Sequence, residues 1–150
     1  MTKKLSCIAI FLSLFFMIFI IFVMSKKVYA IEKHKLFYFK IKNNEPYLTY
    51  EHINFYGDFS KPQVAFIIFD NLFSTKKIFI PCDTHLISVQ IKNQILILNL
   101  SNQIKNYGGS YYEKHLLEQI KKNTLELGLK NFKILIENQK DLLPEGIIYN

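Results

Sequence analysis

The chain has 150 residues, nineteen basic and twelve acidic, with a formal net charge of +7, and every basic residue is Lys. Fifteen of the lysines and all twelve acids lie in residues 31–150, so that part carries only +3. With no Arg there is no planar fork for phosphate or guanine edges, which argues against nucleic acid as a partner.

Abundant Ile, Asn, Phe and Lys suit an AT-rich bacterial genome. Of the two cysteines, Cys7 lies in an apolar stretch and Cys82 stands alone further on. No intrachain disulfide can staple the soluble part, and its residues, about 120 of them, must build their own core.

Residues 5–24 are twenty in a row without charge, and fourteen of them are Leu, Ile, Phe or Val. As a helix they reach roughly 30 Å, the thickness of a bilayer's hydrocarbon core. Lys3 and Lys4 precede the stretch, and Lys26 and Lys27 follow it. The stretch reads as an uncleaved transmembrane signal-anchor. Cleavage after Ala30 is an alternative, though a signal peptide's apolar region is usually shorter. Lipidation would need a Cys just after the stretch, whereas Cys7 lies near its beginning.

The flanking lysines alone favour a cytoplasmic domain. The short basic tail looks like an export signal and favours the outside, which is the orientation taken. The expected organisation is a cytoplasmic tail at 1–4, the anchor at 5–24, a linker at 25–34 and one domain at 35–150.

In the domain, 36–41 and 47–50 predict a hairpin across Asn43-Asn44-Glu45-Pro46. Lys61-Pro62 opens a helix with Ser60 as cap and Val64, Ile68 and Leu72 on one face. After Pro81, 86–91 and 95–100 predict a second hairpin turning at Lys92-Asn93-Gln94, with Ile95-Leu96-Ile97-Leu98 buried on both faces. Ser110-Tyr111-Tyr112-Glu113 fits a capping box for a helix over 110–127. That helix carries an apolar stripe at Tyr112, Leu116 and Ile120 and stops at Gly128. A strand over 132–136 follows, and Gly146-Ile147-Ile148-Tyr149 is a candidate last strand. The order β-β-α-β-β-α-β predicts an α+β domain, with both helices on one face of a mainly antiparallel sheet.

The segment Ile80-Pro81-Cys82-Asp83-Thr84-His85-Leu86-Ile87-Ser88-Val89 resembles the Pro-x-Gly-Thr-x-Leu-x-Ser-Val entry to the central hairpin of GerMN domains. Ile97-Leu98-Asn99-Leu100-Ser101 is similar to that family's apolar-Asp-Leu-Ser strand end. Gly108-Gly109 before helix 110–127, and the strand over 132–137, continue the pattern. Asp83 stands where the family usually has Gly, Asn99 where it often has Asp, and Glu137-Asn138-Gln139 where an Asp-Gly turn is common. Typical members also carry a lipobox or more than one copy of the domain, and neither is seen here. The resemblance implies a sporulation and spore-germination protein of the bacterial envelope, similar to ring-building modules of secretion-like assemblies and not an enzyme.

Cys82 and His85 form a C-x-x-H pair, the start of a zinc site or of a thiol with its base. His34, His52 and His115 share no paired spacing with it, so a plain loop is the simpler reading. Gly108-Gly109-Ser110 could present amides to an anion, but no Lys-Ser/Thr follows. The aromatics of 36–39 read as half core. Lys76-Lys77 and Lys121-Lys122 read as solvated pairs more readily than as lipid contacts. Asn99-Leu100-Ser101 spells a glycosylation acceptor, which means little in a bacterium.

No catalytic, cofactor or metal residues are expected. The expected protein is a non-catalytic, membrane-anchored, extracytoplasmic interaction module of a sporulation or germination assembly. Its partners would be membrane lipid along 5–24 and other envelope proteins or further copies of itself. An extracytoplasmic binder of a small ligand or wall glycan is the alternative.

Overall fold

Asn43 and Asn44 both take left-handed backbone (φ 52° and 63°), as a two-residue hairpin turn requires. They join β1 (Ile31–Lys42) to β2 (Glu45–Tyr56), which form a two-stranded ribbon. The computed structural model describes residues 15–18, 31–75, 77–140 and 143–146. β1 begins at Ile31, so residues 31–34, expected in a linker, belong to the first strand. Contacts divide the chain into two units, Met1–Ile31 with Tyr56–Asp58, and Glu32–Phe55 with Phe59–Asn150.

The expected anchor at 5–24 lies outside the described residues except for 15–18. Those four are helical, and Phe15, Phe16, Met17 and Ile18 are all exposed. Among the described residues no helix is long and apolar enough to cross a membrane.

Helix α1 (Lys61–Ser74) starts at Ser60, where the Gln63 side chain accepts hydrogen bonds from the Ser60 N–H (2.9 Å) and hydroxyl (2.6 Å). Pro62 suits a first turn whose amides have no helical partner. Val64, Ala65, Ile68, Phe69, Leu72 and Phe73 are its buried residues.

β3 (Leu86–Lys92) and β4 (Ile95–Leu100) pair antiparallel across Asn93-Gln94, again a turn with two positive φ angles. A 3-10 turn over Asn102–Lys105 leads to α2 (Ser110–Glu126). Gly128 ends α2 at φ 68°, with Gly128 N–H bonded to Leu125 C=O and Leu129 N–H to Thr124 C=O. This is the Schellman pattern, which satisfies carbonyls the helix leaves free.

β5 (Asn131–Ile136) then pairs parallel with β4, Leu96 beside Phe132 and Leu98 beside Ile134. The expected single, mainly antiparallel sheet is thus corrected to a two-stranded ribbon and a mixed three-stranded sheet in the order β3-β4-β5. The parallel pair follows from the connection, because a strand that returns through a helix re-enters the sheet in the same direction. The α+β class and the element order hold.

One core cluster holds Leu36 and Phe55 of the ribbon, Ile68 and Leu72 of α1, Leu96 and Leu98 of β4, and Leu116 and Ile120 of α2. Leu96, Leu98 and Leu100 face this core, while Ile95 and Ile97 on the other face are only half-buried. Over residues 95–98 the strand is therefore fully buried on one face only, while Asn99 on the second face is buried as well. The candidate last strand lies outside the described residues beyond Gly146.

Candidate functional site

Pro81 and the left-handed Asp83 (φ 64°) bend the chain sharply between α1 and β3. The Thr84 hydroxyl donates to the Pro81 carbonyl at 2.8 Å and closes the bend. Cys82 is free and exposed, and His85 is exposed two residues after Asp83. Both line one open cleft of about 430 Å³, together with Phe73, Ile80 and Tyr112. The C-x-x-H pair is thus brought to a common cavity. Burial, then the Cys82 charge, pushes the Tyr112 hydroxyl above its ordinary value.

The other histidines stay apart from that pair. His34 on β1 sets its ring edge against Phe55, with Nε2 3.0 Å from Glu32 Oε1 but out of line for a hydrogen bond. His52 on β2 packs against Tyr50. His115 on α2 stacks on Phe79 and directs Nδ1 to its own helix at Tyr111 C=O, 2.7 Å away. Among the described residues no three His, Cys, Asp or Glu side chains group as metal ligands.

The Gly108-Gly109-Ser110 turn differs from its expected form. Gly109, at φ 85°, is the cap of α2, so Ser110 already lies inside the helix and the Ser110–Glu113 capping box does not form. Glu113 is instead fully buried, accepting hydrogen bonds from the Tyr107 hydroxyl and the Glu145 N–H (2.9 Å). A carboxylate of the chain itself therefore occupies the first turn, where the helix dipole favours negative charge.

Of the remaining candidates, Leu36, Tyr38 and Phe39 are buried and Phe37 is half-buried, so the aromatic run is core more than surface. The Lys77 ammonium is 2.9 Å from Glu51 and sits over the Tyr38 ring at 3.6 Å, which ties it to the ribbon. Lys122 stands over Phe37 at 5.4 Å. Asn99 is 2% exposed and locked to Asn138 by two 2.8 Å hydrogen bonds, so it is no glycosylation acceptor.

Sequence reasoning missed the contrast between the ribbon's two edges. On the β1 side, Asn123 and Gln119 of α2 accept the N–H groups of Phe37 (2.8 Å) and Phe39 (3.1 Å). On the β2 side no strand is paired among the described residues, and Tyr47 and Tyr50 are 42% and 48% exposed. The signal available was modest: a Tyr-rich strand without a single Lys in a chain full of them.

No protein-family model matches the chain, and no curated protein sequence matches it. A solved structure of a candidate lipoprotein from Clostridium perfringens is similar, with 23% identity and a TM-score of 0.49, over 73% of this chain and 76% of that one.

Proposed function

We propose that this protein is a non-catalytic, membrane-anchored interaction module on the extracytoplasmic side, working in a sporulation or spore-germination assembly. The observation that carries the interaction reading is the outer edge of β2, which pairs with no strand among the described residues. An unpaired strand edge offers a row of N–H and C=O groups to another chain, and alternate side chains supply specificity. The apolar stretch at 5–24 supports the anchor.

The GerMN resemblance supports the envelope setting, and the backbone accommodates this chain's departures from that pattern. Asp83 holds the left-handed conformation (φ 64°) where the family usually has Gly. Glu137 and Asn138 (φ 51° and 68°) form a tight turn where an Asp-Gly turn is common.

A second reading, small-ligand or glycan binding, is favoured by the cleft at Cys82, His85 and Tyr112. Its size falls within the usual range for ligand sites.

The test is capture of envelope proteins by the tagged full-length chain from sporulating and vegetative cells. Partners should be recovered from sporulating cells and lost with Tyr50→Lys, whereas loss with Lys133→Glu instead would move the docking surface to the edge strand β5. Capture indifferent to Tyr50→Lys would overturn the edge as the docking surface. Protease added to spheroplasts should digest the domain, and its survival there would reverse the orientation.

A further inference from the structure

The ribbon's register fixes which backbone groups face outward. β1 and β2 have equal lengths about the Asn43-Asn44 turn, which sets Phe37 opposite Tyr50, and those rings lie 5.6 Å apart. The Phe37 and Phe39 amides point away from β2, because α2 holds them. Residues directly opposite in an antiparallel pair share one hydrogen-bonding direction, inward or outward. Tyr50, and with it Leu48, His52 and Asn54, therefore turns its N–H and C=O to the outside of the ribbon. Pro46 belongs to the same outward series, where its missing N–H removes no ribbon bond. β2 has no Lys, whereas β1 has four, and Lys is a common device for keeping an open edge unpaired.

An antiparallel partner must set outward groups against outward groups, so for β2 against itself only even-numbered residues face even-numbered ones. Two such registers overlap nearly all of the strand. One is centred on Glu51 and opposes the two Glu51 carboxylates. The other is centred on Tyr50 and overlaps residues 45–55. It sets Leu48 against His52, Thr49 against Glu51 and Tyr47 against Ile53, with no like charges opposed.

We infer that β2 pairs antiparallel with β2 of a second copy of this chain, about a twofold axis through Tyr50, making a continuous β1-β2-β2-β1 sheet. This rests on the interaction reading above and names its partner. The Tyr50-centred register, which opposes no like charges, is what supports a second copy as the occupant.

The test is single-cysteine cross-linking of the full-length chain in membranes. It uses a Cys7→Ser, Cys82→Ser background with one Cys at a time from Tyr47 to Asn54 and a copper–phenanthroline oxidant. Tyr50→Cys places two thiols on the axis with Cα atoms about 5.5 Å apart, within disulfide reach. Tyr47→Cys places them about 20 Å apart along the strands. The disulfide-linked dimer should be about tenfold stronger at Tyr50 than at Tyr47 or Asn54.

A maximum at any other position would overturn the register. No dimer at any position would overturn self-pairing. If Tyr50→Lys still abolished envelope-protein capture in that case, the edge would belong to a different partner and the interaction reading would stand. If capture were also unchanged, both would fall.

Discussion

Asn123 makes to Phe37 both hydrogen bonds that a neighbouring strand would make: Oδ1 accepts the Phe37 N–H at 2.8 Å, and Nδ2 donates to the Phe37 carbonyl at 2.8 Å. Gln119, one helical turn away, accepts the Phe39 N–H and donates to the Ile78 carbonyl. The spacings agree: four residues of helix rise about 6 Å and two residues of strand about 6.6 Å. α2 thus takes the place of a strand at the edge of β1.

Asn123→Ala should therefore cost more than its small change in volume suggests. It strips the partner from a backbone N–H and weakens the satisfaction of a carbonyl, each worth about 1–3 kcal/mol when left unmet in a buried site. A loss of about 2–4 kcal/mol is expected in urea unfolding. A loss below about 0.5 kcal/mol would mean that water replaces the amide without penalty.

That contact also marks where sequence reading ends. The order of strands and helices was legible because apolar periods of two and four residues, Pro62, Gly128 and the Asn turns each act locally. Asn123 and Gln119 read as a polar face, since their partners are backbone groups about eighty residues away. A Ser-x-x-Glu spacing suggested a capping box at Ser110, but Gly109 starts the helix one residue earlier and turns Glu113 inward to Tyr107. At the candidate site, Cys82 and His85 line one cleft because they lie three residues apart on the loop before β3. The edge of β2, unpaired among the described residues, depends on which strands fail to pair, and its one local sign is a Tyr-rich strand without Lys.

On α2, Leu116 and Ile120 are fully buried while Leu125 is about half exposed. Truncating either of the first two to Ala should cost about 2–5 kcal/mol. Leu125→Ala, equally apolar but outside the core, should stay within about 0.5 kcal/mol. Equal losses at all three positions in denaturant melts would contradict the buried face.

Alkaline pH should destabilise the fold. Burial first, then the hydrogen bond to Glu113, holds the Tyr107 hydroxyl above its ordinary value of 10.0, and Tyr112 shifts the same way. A folded value raised above the unfolded one contributes stability that is intact below about pH 10 and lost as pH rises further. Thermal melts between about pH 8 and pH 11 should show Tm falling above pH 10, and Tyr107→Phe should make that fall shallower. An unchanged slope in the variant would mean that Tyr107 ionises as readily folded as unfolded.

Cys82→Ser and His85→Ala separate an interaction module from an enzyme. Both side chains are exposed, and the bond that fixes this corner, His85 N–H to Ser101 Oγ at 2.9 Å, uses backbone and survives either change. Neither variant removes a large buried apolar surface, so melting should shift by no more than about 0.5 kcal/mol in stability. A module that works through a strand edge has no need of the thiol or the imidazole, so both variants should retain wild-type sporulation. Loss of function in a folded, membrane-retained Cys82→Ser chain would count against the proposed function. Thiol chemistry in the cleft beside Tyr112 would then be the better account.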